Sequence, residues 1–484
     1  MQTERTILFL IADTGAGHRS AANAISSAIR IISRQKQCFS CAYTAQFVTV
    51  SPAEQSKQAE QVSQEVGDTD LSQLPPPAYH IEIVDVFREY SRFPLREAVR
   101  LYGPAIRYNP KLYGEFFHLF DHEERLATAS SLATPLILNG LLRLFSTVQP
   151  DVIVSVHPLL NYISIRALHE LGLSIPFVTV VTDLISVHHS WFAPGASGYI
   201  VPTDQAKQLY LKRKELDPAL VRVLGMPIDP KFTQPVTSKA SLRERLGLEP
   251  GLPVVLLVGG GDGAGKLLTA VRAISQARLP VQLIVVAGRN RRLYTRLQRA
   301  RSSLHVPAQI LGFVDNMPDL MHACDVIVTK AGPGTICEAL ACGLPIVLSG
   351  YVSGQEEGNV EFVEQNNVGV LAHNPLELVD ELRRLLAPGS PELRKRQQHA
   401  RRVSQPYAVF DIAQCILSYL PAHGEPSVWQ SYEWRDRRLT SRLRFLPIRV
   451  RRPHRRLPRK LWNSPLMRRL AHLRVRHKAK NRRH

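Results

Sequence analysis

The stretch from 325 to 359, DVIVTKAGPGTICEALACGLPIVLSGYVSGQEEGN, constrains the fold more tightly than any other part of the chain. Residues 325–329 form an apolar, β-branched run that predicts a buried parallel strand. Gly332, Pro333, Gly334 and Thr335 then force a tight turn, with Thr335 as the cap of a helix starting near Ile336. Gly343 stands where a helix ends on a left-handed residue, and residues 344–348 predict the next strand, so the unit is β–turn–α–β. Such a turn aims backbone N–H groups and the positive end of the helix dipole at one point, which suits a phosphate. Glu338 falls one turn inside the helix, where its carboxylate can accept hydrogen bonds from sugar hydroxyls. Gln355, Glu356, Glu357, Gly358 and Asn359 follow the second strand as a further hydroxyl-reading set. Together these groups predict a nucleotide-sugar pocket; the plainer reading is an ordinary βαβ unit with a solvated loop.

The chain has 484 residues, 44% of them hydrophobic, enough for two domains and a tail. Its six cysteines are scattered; only Cys38 and Cys41 share a CxxC spacing, with no second pair to complete a zinc site. Free thiols in a reducing compartment are therefore expected. The N-terminal apolar run is broken by Asp13, which fits neither a signal peptide nor a membrane span, and no stretch reaches the ~20 apolar residues of a spanning helix. The net charge of +20 is concentrated. Residues 435–484 hold 20 of the 61 Lys and Arg side chains and one of the 41 acidic ones, a local charge of +19, so residues 1–434 stand at +1. Any attraction to an acidic partner belongs to the last fifty residues.

Along the chain, residues 6–12 predict a central strand, 13–18 a glycine-rich turn, and 20–32 a helix with Ala21, Ala24, Ile25, Ala28, Ile29 and Ile32 on its packed face. Gly15 and Gly17 suggest a dinucleotide fingerprint, but Ser20 stands where the third glycine belongs. Residues 34–78 are polar and predict a flexible insertion; the DxD at Asp68 and Asp70 lacks a strand to hold it rigid. Residues 80–87 predict a strand, and 90–148 are mainly helical and aromatic, read as helix packing in preference to a lipid-binding lip. Strands at 151–156 and 177–181 end on His157 and Asp183, where the sites of α/β proteins collect. His188 and His189 read as loop residues before a metal pair, since adjacent side chains point apart in extended chain. Strands at 199–201 and 221–224 close a first domain, and 230–253 form a linker. The second domain opens with a strand at 254–258, and Gly260, Gly265 and Lys266 imitate a P-loop in which Leu267 replaces the magnesium-binding hydroxyl. Further strands are expected at 282–286, before Arg289, and at 309–311, before Phe313. A last helix at 409–419 crosses back to the first domain, and no repeat is visible.

Eight ordered motifs then carry a resemblance: DTGAGHRSAANAI, QPDVIVSVHPLLNYISIRAL, TVVTDL, GMPIDPKF, VGGGDGAG, AGRN, GFVDNMPDLMHACDVIVTKAGPGTICEAL and GLPIVLSGYVSGQEEGNV. The chain resembles the monogalactosyldiacylglycerol synthase family, which includes bacterial processive diacylglycerol glucosyltransferases, and more distantly the peptidoglycan N-acetylglucosaminyltransferase. The similarity covers residues 5–32 and about 80–407 and leaves out 34–78 and the basic tail. It implies an α/β GT-B fold, two Rossmann-like parallel-sheet domains facing across a cleft: residues 1–229 on the acceptor and membrane side, 253–408 binding the UDP-sugar, a helix over 409–420 crossing back, and the 435–484 tail.

The implied activity is inverting transfer of galactose or glucose from UDP-galactose or UDP-glucose to the free hydroxyl of diacylglycerol. His18 is the implied base, in a GAGH turn where Ala16 replaces a family glycine, and Gly15, Gly17, His157 and Asp183 line the acceptor side. On the donor side the resemblance carries the diphosphate to Gly332, Pro333, Gly334, Thr335, Gly260 and Gly261, the ribose to Glu338 and the uracil to the main chain near Phe313. It carries the hexose to Gln355, Glu356 and Asn359, with Arg289 as a further cation. No cofactor and no metal are expected. The alternatives are N-acetylglucosamine transfer to a polyprenyl-linked acceptor, or a non-catalytic membrane- or nucleic-acid-binding relative; intact His18, Glu338 and Gln355 argue against the latter, and nucleic acid is not an expected partner. The expected location is peripheral, on the cytoplasmic face of a membrane, with the tail on its anionic lipids. Within the tail, Ser464 and Pro465 predict a helix start, with Leu466, Met467, Leu470 and Leu473 on one face among arginines.

Overall fold

Buried β-branched runs dominate both halves of the chain, and each half folds them into a six-stranded sheet with every neighbouring pair parallel. The computed structural model describes residues 4–13, 16–38, 79–100, 123–185, 188–212, 217–235, 237–259, 267–422 and 425–430. The first sheet holds β1 (Arg5–Ile11), β2 (Tyr79–Asp85), β3 (Val152–Ser155), β4 (Phe177–Val180), β5 (Gly198–Val201) and β6 (Val221–Val223), in the order β2-β1-β3-β4-β5-β6. The second holds β7 (Val254–Val258), β8 (Gln282–Val286), β9 (Ala308–Leu311), β10 (Val326–Thr329), β11 (Ile346–Leu348) and β12 (Gly369–Leu371), in the order β12-β11-β10-β7-β8-β9. These are two Rossmann-like α/β units. Each strand order reverses once, between β1 and β3 in the first sheet and between β7 and β10 in the second.

Alternation along β1 shows why both faces are covered. Ile7, Phe9 and Ile11 pack with Ile25 and Ile29 of the helix Ala16–Cys38 and with Val409, Ile412 and Ile416 of the helix Ala408–Leu417. Leu8 and Leu10 point the other way, onto Ile137, Leu141 and Phe145 of the helix Glu123–Val148. Each fully buried side chain of this kind contributes about 1.5–3 kcal/mol. The last helix thus crosses back onto the first sheet.

A short repeat escapes a search for long periods: DVIV occurs at 151–154 and again at 325–328. In each sheet its aspartate precedes a strand next to the reversal and clamps the strand across it. Asp151 accepts the Thr6 N–H at 2.8 Å, and Asp325 accepts the Val254 N–H at 2.8 Å.

Several expectations change. The helix expected at 20–32 runs from Ala16 to Cys38, so it takes in the start of the proposed insertion; residues 39–78, with Asp68 and Asp70, lie outside the described residues. Of the 90–148 region, Val86–Tyr90, Leu95–Arg100 and Glu123–Val148 are helical, and 101–122 lie outside the description. Tyr90 packs on the core as expected, whereas Phe93 is 79% exposed. The tail from 431 onward, with its expected helix, is also outside. No described helix is long and apolar enough to cross a membrane.

After β6 the chain passes Gly225, whose φ is +91° and whose missing Cβ makes room for Gln405 and Ala408 just before and at the start of the returning helix. A Cβ there would stand 2.6 Å from that of Ala408. Gly225→Ala is expected to destabilise the protein by at least ~2 kcal/mol through combined backbone strain and overpacking, read as a lower Tm. An unchanged Tm would show that this crossing tolerates movement.

Candidate active site

In a parallel sheet whose strand order reverses, the loops leaving the two strands at the reversal diverge and leave a crevice at the carboxyl edge. Both crevices here carry the polar residues singled out by sequence. In the first sheet the chain leaves β1 at Ala12 and Asp13, and Gly15 lies outside the described residues. The helix starts at Ala16, so Gly17 and His18 occupy its first turn. A Cβ on Gly17 would meet nothing within 4 Å.

The His18 ring sits edge-to-face with His157, which follows β3, at 4.6 Å between centroids. Its Nδ1 is 3.4 Å from Thr182 Oγ1, at the end of β4. Burial lowers the His18 pKa to about 4, overcoming a hydrogen bond to the Val156 backbone and the attraction of Asp13. The imidazole is therefore neutral at pH 7. Asp13 itself is held by Arg19 in a two-point pair, with 2.8 Å at both oxygens. His157 is buried, and burial together with His18 keeps its pKa well down.

Asp183, three residues after β4 ends at Val180, is buried and accepts the Trp191 indole N–H at 2.7 Å. Burial pushes its pKa up to about 7; the Trp191 bond opposes this, and the Glu356 carboxylate of the second half adds to it. Asp183 follows a strand of the first sheet and Glu356 a strand of the second, and the Glu356 carboxylate lies near enough to raise the Asp183 pKa. His188 turns inward instead of pairing with its neighbour: its Nδ1 meets Ser190 Oγ at 2.6 Å and accepts the Ser190 N–H at 3.1 Å. Among the described residues no group of three or more His, Cys, Asp or Glu side chains could hold a metal.

In the second sheet, β10 ends at Thr329 and the helix Pro333–Ala341 begins three residues after Lys330. Gly332, not Thr335, is its N-cap; Pro333 takes the first helical position, where its fixed φ and absent N–H cost nothing, and this moves the start upstream of the expected one. No side chain caps this end, so the N–H groups of Gly334 and Thr335 head the helix toward the crevice. The turn is tied from within: Gly332 N–H donates to the Lys330 carbonyl at 2.7 Å, and Asn359 Nδ2 to the Ala331 carbonyl at 2.9 Å. Glu338 lies one turn in, partly buried, with its pKa raised to about 8 by burial and by nearby Asp229.

Gly260 and Gly261 lie outside the described residues. Arg289 and Phe313, in the loops after β8 and β9, meet each other: the guanidinium carbon stands 4.9 Å from the Phe313 ring centroid, and Phe313 is 62% exposed. Arg289 has no ion pair among the described residues. Gln355 is partly buried at the turn that carries Glu356. Glu356 does not project free toward a sugar. It is 4% exposed, its Oε1 holds Lys330 Nζ at 2.5 Å, and its Oε2 accepts the Val352 N–H at 2.9 Å. Asn359 likewise spends its amide N–H on the turn. Lys330, Asp229, Thr182 and Trp191 were missed as site residues by sequence reasoning. A lysine between a strand end and a glycine turn was a visible signal; the indole–carboxylate contact was not.

Residues 71–228 match the family model described as monogalactosyldiacylglycerol (MGDG) synthase, and residues 254–407 match the glycosyltransferase family 28 C-terminal domain. The chain is 36% identical over 425 residues to the probable monogalactosyldiacylglycerol synthase 2, chloroplastic, of Oryza sativa subsp. japonica, covering 85% of this chain and 80% of that protein. It is 34% identical over 424 residues to monogalactosyldiacylglycerol synthase 1, chloroplastic, of Arabidopsis thaliana, covering 84% and 70%. The crystal structure of Acinetobacter baumannii MurG aligns with a TM-score of 0.49 at 15% identity, over 86% of this chain and 99% of that one.

The facing carboxylates predict a titration. Glu356→Gln removes a like charge and should lower the Asp183 midpoint, while Trp191→Phe removes a donor to the ionised form and should raise it. Carboxyl-carbon NMR on 13C-aspartate protein reads both. A midpoint that ignores Glu356→Gln would contradict the facing arrangement.

Proposed function

Because the chain belongs to the monogalactosyldiacylglycerol synthase family, we propose that it transfers a hexose from a UDP-sugar to diacylglycerol with inversion, by a single displacement across the crevice between the two sheets. The observation that carries this reading is the neutral His18 at the reversal of the first sheet, opposite an uncapped helix start and Glu338 at the reversal of the second. The acceptor hydroxyl oxygen forms its bond to the anomeric carbon as the carbon–phosphate oxygen bond breaks. The proton passes to the His18 imidazole, and the electron pair leaves on the β-phosphate of UDP. The Gly334 and Thr335 N–H groups meet that developing charge with the helix dipole, so no metal is required. Glu338 accepts the ribose hydroxyls, and the main chain beside Phe313 reads the uracil. Gln355 is the hexose-reading side chain of the 355–359 segment. The plant relatives are named for a galactolipid, so UDP-galactose is the first donor to test, with UDP-glucose, its C4 epimer, in parallel. The lipid product identifies the sugar. Chelator should leave the rate near its starting value, and strict dependence on a divalent ion would overturn the metal-free displacement.

The basic tail, residues 435–484, supplies docking on an anionic lipid surface, where each basic residue near the membrane adds about 1 kcal/mol. Protein ending at residue 434 should float poorly with anionic liposomes at low salt while the full chain floats, and the full chain should dissociate as salt rises. Equal flotation of both would move docking to another surface.

His18 and Asp183 make opposite predictions for pH. A base whose free-enzyme pKa is about 4 keeps kcat/KM level from pH 8 down to about 5, whereas a base near 7 loses it tenfold per unit below 7. The profile should follow His18, and His18→Ala should cost ~10²–10⁴-fold in turnover while UDP binding stays close to wild type. A limb near pH 7, or a near-normal turnover in His18→Ala, would displace His18 as base.

A further inference from the structure

We propose that Lys330 binds the donor's diphosphate, and that Glu356 is its positioning residue and not a reader of the hexose. The proposal rests on the transferase reading above and assigns a cation to a site otherwise built from N–H groups. Lys330 is the first residue after β10, on the reversal of the second sheet, and its own carbonyl closes the Gly332 turn. Its ammonium is held by Glu356 Oε1 at 2.5 Å. A Cβ built on Gly332 would lie 3.9 Å from Lys330 Nζ, so the charge stands beside the residue that heads the uncapped helix. With no side chain at 332, Gly332 itself puts nothing between that ammonium and a phosphate bound at the turn.

The partner explains the placement. Glu356 is buried, and its two oxygens are divided between Lys330 Nζ at 2.5 Å and the Val352 N–H at 2.9 Å. A carboxylate anchored in this way fixes one of three ammonium N–H bonds, and the Lys330 side chain remains 29% exposed for the others. Burying a carboxylate requires a strong partner, so the pair also holds the loop that carries Gln355. The plain alternative is a structural ion pair that only ties this loop to the strand end.

UDP, UDP-galactose and uridine separate the two roles, because uridine shares the base and ribose contacts but carries no phosphate. In wild type, UDP should bind more tightly than uridine; if it does not, the nucleotide-sugar reading fails before Lys330 is at issue. Lys330→Gln should weaken UDP about 10- to 100-fold, as expected for one charge-assisted hydrogen bond, and leave uridine within about twofold. Lys330→Arg, which keeps the charge, should restore part of the difference. Glu356→Gln should weaken UDP and UDP-galactose by the same factor and spare uridine. Unchanged UDP binding in Lys330→Gln, or equal losses for UDP and uridine, would overturn the diphosphate role. A loss in Glu356→Gln confined to UDP-galactose would return Glu356 to the hexose.

Discussion

A parallel sheet releases every strand at the same edge, and the remainder of this protein follows from having two such edges face each other. Each sheet reverses its strand order once, and at that reversal the chain leaves in two directions. His18 and His157 occupy one reversal; Lys330 and the Gly332 turn occupy the other. The aspartates of the repeated DVIV sequence hold the pairs of strands that flank these openings, through Thr6 in one sheet and Val254 in the other. The helix Ala408–Leu417 returns to the first sheet and so closes the chain across both halves. Catalytic groups contributed by separate halves can then meet without any one loop carrying them all.

Burial sets the electrostatics of the crevice. His18 and His157 are kept neutral, while Asp183 and Glu338 are pushed toward their protonated forms. Burial thus disfavours the charged forms of these four side chains. A neutral imidazole is the form a base must have before it takes a proton. An uncapped helix start is the form an anion site must have before it receives a phosphate. Both features carry a stability cost, which is the ordinary condition of a binding site.

Strands were legible because runs such as 254–258 and 282–286 are buried on both faces and leave no competing period. The crevice was legible because glycine turns directly follow those runs. Boundaries were less so. Gly15 and Gly17 signalled a turn, yet helical backbone is open to Ala16 and Gly17 once β1 has ended at Ile11. Thr335 and Gly332 were both possible caps, and Pro333 decides between them by taking the first helical position. Glu356 illustrates what no local pattern holds. Its partner Lys330 lies 26 residues away, and only the folded sheet brings them together. Trp191 and Asp183, eight residues apart across a loop, present the same difficulty.

The central claim is a single displacement between groups on opposite sheets, and the configuration of the product tests it most directly. The full chain, given diacylglycerol and an α-linked UDP-hexose, should yield a glycolipid whose anomeric proton in NMR is that of the β-anomer, because attack comes from the face opposite the departing UDP. An α-linked product would require a second displacement or a different path, and would contradict the roles given to His18 and to the helix start at Gly332.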